Sequence, residues 1–390
     1  MIHTRRRCSR RSTVGLAVAV VTLSTLLAAC GSSSGAGAAG TTSPEQIAAA
    51  KGVADQYLKA PTTITQNVPL PKAPPAGKSI VFLGDSNPDT TKIGQGIETA
   101  AKAIGWKFST VSFDTANPAT LQAAFDTALQ RHPDYVAEAG IAQTQISAQV
   151  IDAYKGAGVP IILSEVEPLT VTDTILGPAG DGEMTTLQGK TLANWFVADS
   201  GGTGSAVIES VSAYPVLTAF VDSFVSTVNQ TCPGCHVTKL GVSVSQLQQG
   251  KLISAVVSKL RSDPSLKYVF FDQYEFASGI NSALAAAGLQ GIKIGGNGFG
   301  AEPAAALRNG TQNAWSVYSP YYNGYQVIDV AVRHATGVPV TTNNAVLPTQ
   351  ILTKENVGDR KDTWNEPNDA LAQFEKLWQV PTTPCSLGCS

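Results

Sequence analysis

The sequence predicts an α/β protein made of two doubly wound parallel-sheet lobes. Three observations carry that expectation. Short apolar runs alternate with helix-periodic segments between residues 79 and 163. The same alternation restarts near residue 187 and continues to about 335. The chain has 390 residues, of which 43% are hydrophobic and 14% charged, enough apolar material for two buried cores.

The elements follow in order. Residues 44–58 are helical in pattern, with Pro44 at the start. Residues 61–77 hold five prolines and read as an extended lead-in. Ser79–Gly84 is an apolar run that reads as a buried strand. Ile93, Ile97, Ala100, Ala101 and Ile104 then fall on one helix face. Residues 107–113 read as a strand, 118–130 as a helix capped by Asn117, and 135–138 as a strand. A helix over 146–157 is stopped by Gly158, and 160–163 is the fourth strand. The second half gives helices at 187–198, 214–229, 247–260, 276–287, 301–309 and 321–335. Strands at 205–209, 237–242, 268–272, 292–295 and 313–318 alternate with them. Strand–helix–strand units of this kind imply parallel pairing and right-handed crossovers.

The two ends differ from the body. Arg5, Arg6, Arg7, Arg10 and Arg11 form a positive cluster, followed by an apolar stretch from Gly15 to Leu27. That stretch is too short for a comfortable membrane span and has the build of an export signal. Leu27-Ala28-Ala29-Cys30 resembles a bacterial lipobox, which implies cleavage after residue 29 and a lipid on Cys30. Ser9-Arg10-Arg11-Ser12 partly resembles a twin-arginine signal, so either export route is open. Residues 31–43 are nearly all Gly, Ser, Ala and Thr, a flexible tether of roughly 20 Å. Two motif matches inside it, a nucleophile-elbow pattern at 31–35 and a dinucleotide fingerprint at 35–40, have no strand before them and carry nothing. The formal charge is −2, and without the five leading arginines the body is more acidic, which argues against nucleic acid as a partner.

An acylated anchor, a tether and two α/β lobes resemble a substrate-binding lipoprotein of a bacterial ABC importer. The lobes resemble the type I periplasmic-binding fold, in its ribose-binding, sugar-binding branch. The segments that carry the likeness are Ile80-Val-Phe-Leu-Gly-Asp-Ser-Asn-Pro88, Gly96-Ile-Glu-Thr-Ala-Ala101, Ala157-Gly-Val-Pro-Ile-Ile-Leu163, Tyr268-Val-Phe-Phe-Asp272, Ile292-Lys-Ile-Gly-Gly-Asn-Gly298 and Pro320-Tyr-Tyr-Asn-Gly324. The resemblance implies a three-segment hinge. Lobe one is then 78–166 plus 319–343, and lobe two 167–318 plus 344–356. Residues 1–29 are the signal peptide, 30–77 the anchored tether, short helix and lead-in, and 357–390 a C-terminal tail. It further implies a monomer at the outer face of the cell membrane, ABC permease subunits as partners, no cofactor, no metal and no enzymatic activity.

Ligands of open parallel sheets bind beyond the carboxyl ends of the strands. The candidate ligand-binding residues are therefore Asp85, Ser86 and Asn87 after the first strand and Ser164 and Glu165 after the fourth. Gly140 and Gln143 follow the third. The second lobe contributes Glu209, Ser210, Tyr214, Asp272, Gln273, Tyr274 and Asn297, and the last hinge segment Tyr318 and Tyr321. Carboxylates and amides exchange hydrogen bonds with several hydroxyls, and aromatic faces cover apolar ring surface. The set holds no Lys or Arg, which suits a neutral or cationic polar ligand, with a sugar or sugar derivative as the family expectation. The set departs from the sugar-binding pattern at several positions. Asp89-Thr90 stand in place of an aromatic pair, Ser164-Glu165 in place of an Asp, and Gln273-Tyr274 in place of an Asn-Asp pair. Asn297 stands in place of an Asp and Tyr318 in place of a Gln, and no Arg accompanies Glu209-Ser210-Val211.

Cys232-Pro-Gly-Cys235 and Cys385-Ser-Leu-Gly-Cys389 are two close pairs. With His236 beside them they could in principle hold zinc, but an exported chain favours disulfides. Three pairings are possible, with two local bridges the simplest. A ligand-binding module that signals to a membrane sensor, and a surface enzyme, are the competing functions.

Overall fold

A computed structural model of the chain describes residues 40–178, 185–342 and 346–382. The signal segment, Cys30, Cys385 and Cys389 lie outside the described residues.

The first sheet is built from β1 (Ser79–Gly84), β2 (Lys107–Ser112), β3 (Tyr135–Ala139), β4 (Ile161–Ser164) and β5 (Ile175–Leu176), in the order β2-β1-β3-β4-β5. Every pair in it is parallel. The helices α1 (Pro44–Tyr57), α2 (Pro88–Ala103), α3 (Pro118–Leu129) and α4 (Ala148–Ala157) occur in this half of the chain. Side chains alternate between two cores, as period-2 geometry requires. Ile80 and Phe82 face α2, while Val81 and Leu83 face the core shared with α3 and α4.

The second half contains α5 (Thr186–Asp199), β6 (Ser205–Ser210), α6 (Pro215–Thr231), β7 (His236–Gly241), α7 (Val244–Gln248), α8 (Leu252–Ser262) and β8 (Tyr268–Phe271). It continues through α9 (Ile280–Ala286), β9 (Lys293–Asn297), α10 (Ala301–Asn309), β10 (Ala314–Val317), α11 (Pro320–Thr336), β11 (Gln350–Leu352) and α12 (Ala370–Leu377). The sheet order is β11-β10-β9-β8-β6-β7, and only β11 runs antiparallel. Tyr268 and Phe270 point into one core with Phe196 and Phe224, and Val269 and Phe271 into the other with Trp315.

Helix α11 returns to the first lobe and lies tightly on α2. A Cβ at Gly96 would stand 2.4 Å from the Tyr321 carbonyl oxygen, and one at Gly324 would stand 2.4 Å from that of Ile93. Only glycine permits that backbone approach.

Three boundaries differ from the sequence expectation. The first sheet extends past residue 166 to Leu176, because Ile161 and Ile162 pair with Ile175 and Leu176. A two-residue strand leaves no periodic signal. The helix at 247–260 is two helices, α7 and α8, with Gly250 between them at φ +64°. Residues 357–390 are not simply a tail. Val357 and Trp364 are buried in the second lobe, and Leu371, Phe374 and Trp378 in the first. The amino-terminal segment runs between the same lobes, with Ala50 and Ala54 of α1 in a second-lobe core and Leu70 in a first-lobe core.

These end segments are stitched together on lobe one. Leu70 N–H donates to Leu377 O at 2.8 Å, and Ile64 N–H to Gln373 Oε1 at 3.0 Å. Beneath them Asp329 and Arg333 form a fully buried ion pair at 2.7 Å. Trp378 Nε1 (2.7 Å) and Gln66 Nε2 (3.1 Å) donate to Asp329, and Arg333 Nη2 donates to Val68 O at 2.7 Å. At the other end, Thr42 Oγ1 donates to Gly202 O and accepts from Gly234 N–H, beside the Cys232–Cys235 disulfide.

Candidate ligand-binding cleft

The strand ends of the two sheets are the places to look, and the residues there divide by what their polar atoms already do. After β1, Asp85 Oδ1 accepts the Asn87 N–H at 3.0 Å. Asn87 Oδ1 accepts from Asp89 N–H (2.8 Å) and Thr90 N–H (3.3 Å), so Asn87 is the cap of α2. Ser86 and Asn87 are exposed and Asp85 is half-buried. After β3, the Gln143 side chain bonds both ways with the Thr170 backbone, tying two loops together.

After β4 the backbone turns sharply. Glu165 has φ +54°, and its Oε1 accepts from Asn323 Nδ2 at 2.8 Å. Asn323, fully buried on α11, also accepts from the Ser164 hydroxyl. Burial first, then the Asp89 charge, push the Glu165 carboxyl up to about 7, against the Asn323 bond that lowers it.

In the second lobe Glu209 and Asp272 are fully buried neighbours. Asp272 Oδ2 accepts from Val211 N–H at 2.9 Å, and Glu209 Oε2 from Asp272 N–H at 3.4 Å. Burial raises both carboxyls, and the adjacent Asp272 raises Glu209 further, so the pair holds a proton where free carboxyls would not. Asn297, at the end of β9, is 1% exposed, and neither its Oδ1 nor its Nδ2 has a partner among the described residues. It is opposite Ser316 in register, and Ser316 Oγ lies 3.3 Å from Thr191 Oγ1 of α5. Gln188, one turn before Thr191, is also fully buried with both amide atoms unpartnered.

The lobes meet at Gln273. Its Nε2 donates to Asp89 Oδ2 of α2 at 3.3 Å, while its Oε1 is without a partner. Asp89 also takes Lys92 Nζ at 3.2 Å. Next to Gln273, the Tyr274 ring lies over the loop after β9, where a Cβ on Gly300 would stand 2.3 Å from it. Tyr274 and the buried Tyr318 both have raised phenols, from burial first and then from nearby carboxylates that include Asp89 and Glu275. Tyr321 is partly buried beside Asp362, and Tyr214 is 38% exposed at the cap of α6.

Sequence reasoning missed Asp89, Lys92, Glu138, Gln188, Glu275 and Asn323. Glu138 had a readable signal, a lone charge in the apolar run of β3, where it is 1% exposed. Asp89 stands where the resembled family carries an aromatic pair, and Glu275 had no signal, because its place depends on how the lobes meet. Lys92 puts one cation beside a set expected to hold none.

The periplasmic binding protein domain family matches residues 80–339. No curated protein matches the chain in sequence. Among solved structures, a periplasmic ribose ABC transporter protein from Conexibacter woesei is 18% identical, with 73% of this chain and 95% of that one covered at a TM-score of 0.59. A solute-binding protein from Burkholderia graminis in complex with D-arabinose is 16% identical, covering 73% and 98% at 0.60. A LacI-type transcriptional regulator from Bacteroides fragilis, 16% identical, covers 72% and 98% at 0.58. At such identities the likeness is one of fold, the two-lobed type I periplasmic-binding architecture.

Proposed function

The chain belongs to the periplasmic binding protein domain family, and from that premise we propose that it is a solute-binding lipoprotein. It captures a small polar ligand, a sugar or sugar derivative, between its lobes and delivers it to an ABC importer. Cys30 carries the lipid that holds it at the outer face of the cell membrane, and all four of Cys232, Cys235, Cys385 and Cys389 are oxidised there.

One observation carries the ligand reading. Asn297 lies at the carboxyl end of a parallel strand, buried, with every side-chain polar atom unpartnered. Buried amides are almost always satisfied, and this open one, at a parallel strand's carboxyl end, is placed where a ligand's hydroxyls would complete it. Gln273, Tyr274 and Tyr318 follow β8 and β10 of the same sheet, Glu165 follows β4 of the other, and a fold neighbour in complex with D-arabinose supports a polyhydroxylated ligand. An interlobe ligand binds the folded state alone and raises the melting temperature in proportion to its saturation. A panel of pentoses, hexoses, polyols and their amino derivatives, read by melting temperature and by radius of gyration, tests this. A ligand that raises the first and shrinks the second supports the reading; best binding by phosphorylated or dicarboxylate compounds would sink it. Cys30→Ala, which should release the protein from the membrane fraction, tests the anchor.

A further inference from the structure

The interlobe contact is lopsided in charge. Asp89, Glu165 and Glu275 lie close enough for Asp89 and Glu275 to raise the Glu165 carboxyl, and Asp85 adds to the same field. The one ammonium among the groups that act on these carboxylates is Lys92, already bonded to Asp89. The unpartnered atoms point the same way. Gln273 is 9% exposed, its Nε2 is committed to Asp89, and its Oε1 is open; Glu275 Oε1 is buried and open as well. Both open atoms are acceptors. The Glu165 backbone is held in the left-handed region, a strained conformation for a residue with a side chain.

We propose that the solute this cleft takes carries a positive charge, an amine-bearing sugar or polyol whose ammonium sits among Asp89, Glu165 and Glu275. The inference rests on the solute-binding reading above and names the ligand's charge. An ammonium brings three donors and no acceptor, which matches open carboxylate and amide oxygens. A neutral hydroxyl fills the same oxygens but brings no counter-charge to the three carboxyls, for which Lys92 is the one ammonium. The hydroxyl groups of such a ligand then fall to amides such as Asn297.

The groups around Glu165 come from several elements. Asp85 follows β1, and Asp89 and Lys92 belong to α2. Glu138 ends β3, Glu275 and Tyr274 follow β8, and Tyr318 follows β10. Asp362 lies beyond Tyr274 and Tyr321. A bound cation favours the ionised form of Glu165, whose carboxyl is raised to about 7, so binding releases protons near neutral pH.

The test uses matched pairs on the processed full chain: glucamine against sorbitol, and glucosamine against glucose and N-acetylglucosamine. Calorimetry should find each amine at least tenfold tighter than its neutral partner, with proton release seen as a heat that varies with the buffer. Glu165→Gln should cut that preference to threefold or less, and Glu275→Gln serves if the first variant does not fold. If the neutral partners bind as tightly or more tightly, the charge assignment is overturned while the solute-binding reading stands. If the amines win but neither folded variant reduces the preference, the ammonium site is wrong. If no member of either set binds while a neutral member of the wider panel does, the charge assignment is overturned and the solute-binding reading stands.

Discussion

Two places in this protein bury polar side chains, and they do so in opposite ways. On the outer face of lobe one, Asp329 and Arg333 are completely buried and completely engaged, by each other, by Trp378, by Gln66 and by the Val68 carbonyl. At the strand ends of lobe two, Asn297 and Gln188 are just as buried and their amide atoms meet nothing. A satisfied buried network fixes one arrangement of chain, here the two end segments on α11. An unsatisfied one is a standing cost that folding alone does not explain. The contrast separates residues that hold the protein together from residues that, on the proposed function, wait for a ligand.

Removing one member of the engaged network should give the largest effect. Arg333→Ala leaves Asp329 buried without its counter-charge, at about 3–5 kcal/mol. Urea unfolding should show that loss, and ligand affinity in the folded fraction should stay within about threefold. Asn297→Leu should do the reverse. Affinity should fall by about ten- to a hundredfold, from roughly 1–3 kcal/mol of lost hydrogen bonding. The melting temperature of the empty protein should hold or rise, because two open amide atoms disappear. If Asn297→Leu binds as the parent does, the open atoms do not face the ligand and the contrast collapses.

Asn87 sharpens the comparison, since it too is a strand-end candidate but lies three residues past β1, at the cap of α2. Its oxygen is spent on capping α2, so Asn87→Ala should cost about 1 kcal/mol of stability and leave affinity nearly unchanged. A tenfold loss of affinity would make it a contact after all.

The mildest expectation is a slope with pH. Burial raises Glu138, Glu165, Glu209 and Asp272, so the folded chain keeps protons that the unfolded chain releases above ordinary carboxylate values. Stability from these groups is full below about pH 4 and declines as pH rises through their folded values, that of Glu165 being about 7. Melting temperatures of the ligand-free protein should therefore fall between pH 5 and pH 8, and Glu165→Gln should flatten the fall. A rise over that range would contradict the sign.

Much of this was legible in the residues. Runs such as Tyr268-Val-Phe-Phe and Ser79-Ile-Val-Phe-Leu are apolar on both faces, which only a covered parallel strand explains, so both sheets could be read directly. Strands β5 and β11 could not, because two or three residues carry no period. Helix α12 was hidden for a different reason. Its eight residues are amphipathic, but nothing local says that Phe374 and Trp378 reach a core made three hundred residues earlier. The strand-end rule found Asn297 and Glu165. By itself it did not separate Asn87, a cap marked by the following Pro88, from Asn297, an open amide inside β9. Asp89 and Glu275 become part of the site through the meeting of the lobes, which no single segment encodes.

The end segments also join the two lobes, and on the proposed function they would bound how far the lobes part. Leu58 O is held by Gln350 and Asn356 of lobe two, and Ile64 N–H by Gln373 on lobe one. The six Cα-to-Cα steps from Leu58 to Ile64 reach at most about 20 Å when drawn straight. The run from Trp364 to Ala370 is a second leash of the same length. Besides the three internal crossings, the arc of opening is thus bounded by two short cords. A chain cut at either cord should swing wider, trap its ligand for less time, and lose nothing from either core.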